Sequence, residues 1–208
     1  MLRSIRSTNS LSTLSTIYLH DSKEFVDTLI GLRALSELKI SHVHGKESRA
    51  SLLRLLENYR LRSMAESSQL LPSLTYAVLC HCDAISDDLL LKLATFTALH
   101  RIRLCDLKNI TTNGVYNVII KLSDRLTSLE LEEMDLMADK IIISLGEFKK
   151  LSYLKLESLK NVTDQGIYGL LDTINPLILK KMSVKNCANI TKSCIAISKQ
   201  KIKVVDHT

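Results

Sequence analysis

Residues 151–166 read LSYLKLESLKNVTDQG, and this stretch decides the fold. Its first half spaces leucines as Leu-x-x-Leu-x-Leu, so that Leu154 and Leu156 lie on one side of an extended strand. Its second half contains Thr163, a residue type favoured as a helix N-cap, followed by Asp164 in the first helical turn. The stretch therefore predicts one short strand followed by one helix.

The same pattern recurs along the chain at a nearly constant period. Units begin at Leu99, Leu126, Leu151 and Leu179, with a weaker copy at Leu74, and successive starts are 25, 27, 25 and 28 residues apart. A fixed period of this length is the signature of a solenoid, in which each strand–helix unit stacks on the next to bury a shared core. We therefore expect an α/β solenoid, a curved horseshoe segment with a parallel sheet on the concave face and helices on the convex face.

The second half of each unit predicts a helix. A Ser or Thr stands at the expected N-cap in four units, at Ser86, Thr111, Thr163 and Thr191. Apolar residues follow at helical spacing, as with Leu89, Leu90 and Leu93. Asp87, Asp88 and Asp164 fall in the first helical turn, where we expect the helix dipole to favour them.

The N-terminal third of the chain is less regular. Leu14 and Leu35 open two degenerate units, and the interval from Leu35 to Leu74 is too long for one unit, so we expect an extra or elongated helix at residues 46–67. The expected organisation is a basic leader at 1–13, degenerate repeats with the extra helix at 14–70, and regular leucine-rich repeats at 71–208. All of these belong to a single solenoid domain.

The complete unit resembles the cysteine-containing class of leucine-rich repeats, with the form Leu-x-x-Leu-x-Leu-x-x-Cys-x-x-Ile-Thr-Asp-x-Gly. The best matches are residues 154–166, where Leu159 replaces the Cys, and residues 182–191, where Cys187 is in place. The resemblance covers residues 70–208 well and the first 70 poorly. In this respect the chain is similar to the repeat region of F-box/LRR proteins, whose fold is RNI-like.

The resemblance implies a function in protein–protein recognition. In F-box/LRR proteins the repeats hold the substrate of an SCF-type ubiquitin ligase, and the F-box recruits the Skp adaptor and cullin. Here only 13 residues precede Leu14, which is fewer than an F-box needs. We therefore expect a substrate-binding region that lacks its F-box and would reach Skp adaptor and cullin only through that missing part. The chain is then either a fragment or a free-standing repeat protein.

An alternative function follows from the first residues. Residues 1–15 contain Arg3, Arg6 and five serines, with no acidic residue before Asp21, which is the composition of a mitochondrial presequence. Short leucine-rich-repeat proteins with a basic leader resemble mitochondrial assembly factors of respiratory complexes and ATP synthase. The other interpretation is a basic leader to the first repeat. Both remain open, so the expected location is cytoplasmic or nuclear, with mitochondrial as the alternative.

Composition narrows the functional classes. The net charge of +6 comes from 28 Lys and Arg spread among 22 acids, so we do not expect nucleic-acid binding. Five scattered cysteines are typical of a reducing compartment, and no apolar stretch approaches the roughly 18–20 residues of a membrane span.

The sequence contains no clear catalytic or metal-binding motif. Cys80-His81-Cys82 lacks the Cys-x-x-Cys spacing and second pair of a zinc site, and we expect Cys82 and Cys187 to be buried structural thiols. The histidines form no pair four residues apart on a helix, and the glycines form no phosphate loop. We expect no enzymatic activity, no cofactor and no metal.

The strand alternation predicts which side chains face the concave wall. In the five best units these are Tyr76, Val78, Cys80, Arg101, Arg103, Cys105, Ser128, Glu130, Glu132, Tyr153, Lys155, Glu157, Lys181, Ser183 and Lys185. From them we predict a protein-binding surface made of Tyr76, Val78, Arg101, Arg103, Glu130, Glu132, Tyr153, Lys155, Lys181 and Lys185. Tyr and Arg are common anchors of protein interfaces.

Two interpretations of this wall stand side by side. Arg103, Glu130 and Lys155 alternate in charge on neighbouring strands, and exposed pairs of this kind can neutralise one another within the protein for roughly 0–1 kcal/mol each. The basic clusters at the edges could instead bind an acidic or phosphorylated segment of a partner.

Overall fold

A computed structural model describes residues 13–17, 36–65 and 74–205, and in these residues an eight-stranded parallel sheet runs in chain order. The strands are β1 (Thr13–Ile17), β2 (Glu37–Ser41), β3 (Tyr76–Cys80), β4 (Arg101–Cys105), β5 (Ser128–Glu132), β6 (Tyr153–Glu157), β7 (Lys181–Lys185) and β8 (Lys203–Val205). The helices are α1 (Lys46–Ala65), α2 (Asp87–Leu93), α3 (Thr112–Leu122), α4 (Asp139–Ser144), α5 (Asp164–Thr173) and α6 (Lys192–Lys201), and a 3₁₀ turn (Leu145–Glu147) extends α4. The predicted α/β solenoid is confirmed.

Each strand pairs with the next in uniform register from β2 to β7, so that equivalent residues of successive units stand side by side. Leu129 pairs with Leu154, for example, and Leu154 pairs with Met182. Strand leucines and helix residues such as Ile142 and Leu170 belong to one continuous buried cluster. One layer of this cluster is contributed by each unit, as the period predicts.

The spacing of the two layers explains the curvature. Neighbouring strands lie about 4.8 Å apart, whereas packed helices need about 8–10 Å. A stack with strands on one side and helices on the other must therefore bend toward the strands, which places the sheet on the concave face.

The turn after each strand uses a left-handed backbone conformation without glycine. The residue that follows β2 to β7 has a positive φ, at His42, His81, Asp106, Glu133, Ser158 and Asn186. The backbone N–H of the first five of these residues continues the parallel ladder; that of Asp106, for instance, donates to Glu132 O at 3.1 Å. Asp, Asn and His are among the residues that tolerate this conformation best.

Three pairs of adjacent units are joined by a carboxylate at the start of a helix, in α2, α4 and α5. Asp139 of α4 accepts hydrogen bonds from both the backbone N–H and the hydroxyl of Thr163, at 2.7 and 2.6 Å. Asp87 does the same for Thr111, and Asp164 for Thr191. Asp87, Asp88 and Asp164 lie in the first helical turn, as predicted. Asp87 and Asp164 in addition bond the N-cap of the next unit, which was not predicted.

Glycine makes room for this carboxylate. A Cβ on Gly114 would collide with the side chain of Asp87, and a Cβ on Gly166 would collide with Asp139. Glycine three residues after the N-cap therefore allows the close approach of the preceding unit.

Some helix starts differ from the prediction. Thr111, Thr163 and Thr191 cap their helices through the side chain, as expected. Ser86 does not, because its hydroxyl donates to the carboxylate of Asp88. The N-cap of α4 is Ala138, and this helix begins without a side-chain cap.

The irregular region contains the helix expected at residues 46–67, which spans Lys46–Ala65. Leu14 lies in β1, whereas Leu35 and nearly all of the leader at 1–13 lie outside the described residues. The division at residues 13 and 70 stays a prediction.

Leu154 tests the register. It is completely buried in β6, so Leu154→Ala should lower the free energy of unfolding by roughly 2–5 kcal/mol through lost packing and a cavity. Urea denaturation would measure it. Leu177, which is 83% exposed, supplies the matched control, because Leu177→Ala should change stability by less than about 0.5 kcal/mol. Equal effects of the two changes would contradict the register.

The carboxylate link between units is tested by a double-mutant cycle. Gly114→Ala should destabilise the protein by about 1–3 kcal/mol, because the new methyl group displaces Asp87 from Thr111. In an Asp87→Ala background the same change should be neutral or stabilise by up to about 1 kcal/mol, since Ala is the better helix former. Additive effects in urea denaturation would show that the two residues do not interact.

Candidate protein-binding surface

The concave face carries three columns of side chains between the buried positions of β3 to β7. The edge column is Tyr76, Arg101, Ser128, Tyr153 and Lys181; the middle column is Val78, Arg103, Glu130, Lys155 and Ser183; the end column is Cys80, Cys105, Glu132, Glu157 and Lys185. Register places each column in line, as the sequence pattern predicts. The ten residues of the predicted surface all lie in these columns.

The centre of the wall is an ion cluster around Glu132. Arg103 Nη2 donates to Glu132 Oε2 at 2.6 Å, and Lys155 Nζ donates to Glu132 Oε1 at 2.7 Å. Lys155 also contacts Glu157 at 2.6 Å, while Arg103 lies 3.8 Å from Glu130. The neutralisation anticipated along the middle column therefore exists, but its centre is Glu132 in the end column. We call Arg103, Glu130, Glu132, Lys155 and Glu157 the ion cluster.

The pKa values of the cluster follow from burial and hydrogen bonding. Burial would raise the pKa of Glu132, but hydrogen bonds from Lys155 and Arg103 outweigh it and hold that pKa below its ordinary 4.5. Burial would lower the pKa values of Arg103 and Lys155, but their bonds to Glu132 outweigh it and raise them. Glu130 has the weaker partners, and its burial raises its pKa. Both cations and Glu132 therefore keep their charges at neutral pH.

Three residues expected on the exposed wall are buried. Glu132 is 5% exposed because Arg103 and Lys155 close over it. Cys105 lies below His81, whose Nε2 is 3.9 Å from the sulfur. Ser183 is short and sits between the longer Lys181 and Lys185 of its own strand. The expected exposure of Glu132 is therefore wrong, and the other predicted contact residues stay a prediction.

The edge column presents aromatic rings with cations beside them. Arg101 lies over the ring of Tyr76, 4.6 Å from its centroid, and Lys39 of β2 lies 5.7 Å from the same centroid. Farther along, Lys181 lies 5.5 Å from the ring centroid of Tyr153. Tyr76 and Tyr153 are half-buried, and Lys181 is exposed. This edge offers rigid aromatic area and positive charge to the solvent.

The concave wall begins one strand earlier than predicted, at β2. Lys39 and Glu37 on β2 belong to the same wall, with Glu37 contacting Lys39 at 3.1 Å and Arg101 at 3.4 Å. The degenerate unit that opens at Leu35 contained the signal, because its alternation places both residues on the concave face.

Thiols and imidazoles gather where β3 and β4 end. His81 Nδ1 contacts Asp106 Oδ2 at 3.2 Å and its ring stacks on His42 at 5.1 Å between centroids. Cys105, His81 and Asp106 stand in the order thiol, imidazole, carboxylate, as in a nucleophilic site. However, burial raises the pKa of Cys105 to about 12. Cys105 therefore supplies no thiolate at neutral pH. In the described part of the chain, no three His, Cys, Asp or Glu side chains are arranged to hold a metal ion.

Cys82 and Cys187 occupy the interior of the loops, as predicted. The Cys82 thiol donates to Cys80 O at 2.9 Å, and the Cys187 thiol donates to Lys185 O at 3.3 Å. Both are buried, and burial raises the pKa of Cys82 to about 11. Each therefore ties its loop to the end of the preceding strand.

Comparison with known proteins supports the fold. No family model and no curated protein sequence matches the chain. A solved structure from yeast, the crystal structure of the Rad7 and Elc1 complex, matches with a TM-score of 0.51 at 18% sequence identity. The match covers 88% of this chain and 52% of the neighbour, so the chain spans about half of that neighbour's length.

The chain has a leucine-rich-repeat-type fold. The likeness at 18% identity concerns the architecture alone. None of the helices in the described part of the chain combines the length and hydrophobicity that a bilayer crossing requires.

Glu132 makes the stabilising effect of the ion cluster depend on pH. Because its pKa is lower in the folded protein, its stabilising contribution is present above pH 4.5 and is lost as pH falls below that value. At pH 7 Glu132→Gln should cost about 1.5–3 kcal/mol, the range for hydrogen bonds to charged groups. The difference from wild type should shrink progressively as the pH falls below 4.5 and through the lower pKa that Glu132 has in the folded protein.

The exposed neighbour Glu133 supplies the control for this experiment. Glu133→Gln should change stability by less than about 0.5 kcal/mol at any pH. A difference for Glu132→Gln that stays constant from pH 7 to 3 would show that the carboxylate charge contributes nothing.

Proposed function

We propose that this protein acts by binding another protein on its concave face, and that it is not an enzyme. The observation that carries the proposal is the edge column, where Tyr76 and Tyr153 stand in line with Arg101 and Lys181 on a rigid sheet. A tyrosine ring loses little conformational entropy on binding, and Tyr and Arg are enriched among the residues that dominate interface energetics.

The ion cluster divides the predicted surface into two parts with different roles. Arg103, Glu132 and Lys155 already satisfy one another, so a partner gains little from them and would have to break strong hydrogen bonds to use them. The edge column has no comparable internal neutralisation at Lys181. Four carboxylates face six cations on β2 to β7, so the wall favours a partner segment with acidic side chains.

At a finer level we propose that this is the substrate-recognition region of an SCF-type ubiquitin ligase, with the Skp adaptor and cullin recruited by an F-box outside this region. Support comes from the cysteine-containing repeat pattern, which resembles that of F-box/LRR proteins, and from the fold shared with the Rad7 chain of the Rad7–Elc1 complex. The expected location is cytoplasmic or nuclear.

The experiment is an affinity purification of the full-length endogenous protein, with its intact mass measured alongside. Wild type should retain a substrate protein together with Skp adaptor and cullin. Tyr76→Ala combined with Lys181→Glu should reduce the substrate at least about tenfold and leave Skp and cullin unchanged. Arg103→Glu is unsuitable here, because it would destabilise the ion cluster.

Leu177→Ala on an exposed turn is the matched control and should retain everything. Absence of Skp and cullin would overturn the ligase function while leaving protein recognition intact. Unchanged substrate capture by the concave variant would overturn the proposed surface.

The second candidate is a mitochondrial assembly factor, favoured by the Arg- and Ser-rich composition of residues 1–15. These residues lie mostly outside the described part of the chain. Purification from mitochondria, with loss of about the first 10–15 residues and without cullin, would select this candidate.

A further inference from the structure

The convex face carries an apolar stripe that the concave-face function does not use. Five residues after the N-cap, on the solvent side of α2 to α5, stand Leu91, Tyr116, Ile143 and Tyr168. Leu91 and Ile143 keep 38% and 37% of their surface exposed, and the two tyrosines are half-buried. We call these four residues the apolar stripe.

The stripe departs from what a solvated helix layer needs. The outer face of a surface helix is ordinarily polar, yet four successive helices repeat an apolar or aromatic residue at one position. With neighbouring helices about 8–10 Å apart, the stripe extends for roughly 30 Å. Contiguous apolar surface of this kind marks an interaction site.

Two contacts join the stripe across α3, α4 and α5. Ile143 leans over Gly169 of α5, where a Cβ would come within 2.6 Å of Ile143 Cγ1. Lys140 of α4 lies 5.9 Å from the ring centroid of Tyr116, so a cation flanks that ring. Gly169 thus lets the side chain of one helix cover the gap to the next.

The two edges of the stripe differ in charge. Along the first helical turns there are four carboxylates against one cation: Asp87, Asp88, Asp139, Lys140 and Asp164. The other edge is formed by the last turns of these helices and the residues that follow them, in segments 92–98, 121–127, 146–150 and 171–176. These segments contain five cations and three carboxylates. One edge therefore carries a net charge of −3 and the opposite edge a net charge of +2, with Lys92 and Lys149 already paired to Glu57 and Asp124.

We infer that two copies of this chain associate through their apolar stripes about a two-fold axis that runs along the stripe. This rotation lays apolar residues against apolar residues and turns the acidic edge of each copy toward the basic edge of the other. It also makes the helices of the two copies antiparallel, which aligns their dipoles favourably. Such an interface is isologous and closes at two copies.

The association leaves the concave face of both copies open. The inference is therefore independent of the proposed function: a dimer could form whether or not the wall binds a partner, and either result can fail alone.

Sedimentation velocity and light scattering of the full chain from micromolar to near-millimolar concentration test the inference. The average mass of wild type should rise from 23.4 kDa toward twice that value. Leu91→Glu combined with Ile143→Glu should raise the dissociation constant at least about 30-fold, because each copy would bury unpaired carboxylates at the centre of the contact. Circular dichroism melting confirms that this variant is folded.

Two controls make the result specific. Leu177→Glu replaces an exposed leucine away from the stripe, and Tyr76→Ala changes the concave face; both should dimerise like wild type. A wild type that stays at 23.4 kDa throughout would overturn the inference. So would a folded stripe variant that dimerises with unchanged affinity, since the contact would then lie elsewhere.

Discussion

Everything in this molecule depends on the uniform register of the parallel sheet. A five-residue strand with one short helix cannot bury its apolar face alone, so each unit is stable only against its neighbours. Because Leu129, Leu154 and Met182 stand side by side on successive strands, the interior continues from one unit to the next. The same register sets the outer columns in line. The core and the concave wall therefore both follow from this one register.

The carboxylate link fixes the position of each linked helix relative to the next, in step with the register of the strands. Asp139 binds the N-cap of the next helix through two hydrogen bonds, and Gly166 leaves it the space to do so. The Thr-Asp-x-Gly part of the repeat thus serves two units at once: its Thr receives the aspartate of the previous unit, and its Asp reaches the Thr of the next. In the last described unit Cys194 replaces the glycine, and the Asp164 carboxylate still bonds Thr191.

The sequence was informative where a local period determines the structure. Leucine spacing predicted the buried positions and the concave columns, and the caps at Thr111, Thr163 and Thr191 were right. The sequence was not informative where a side chain can bond to partners on several different units. Glu132 alternates outward like its neighbours, yet two long cations converge on it, and strand periodicity contains no information on how far Arg103 or Lys155 reaches. The bond from Thr111 to Asp87 was missed for the same reason, although the place of Asp87 in the first helical turn was predicted correctly.

Alternating charges on the concave wall can therefore have either of two roles, stabilising the fold or binding a partner. Strong mutual hydrogen bonds in the ion cluster stabilise the fold and remove those residues from competition for a partner. A charged side chain with only weak contacts inside the protein stays able to bind a partner. Lys181, which lies beside the ring of Tyr153, is such a side chain. A solenoid of this size can therefore hold its wall rigid from the centre and recognise a partner from the edge. On the proposed function, binding and folding rest on different residues, so substitutions in the edge column would change the partner without loss of the stack.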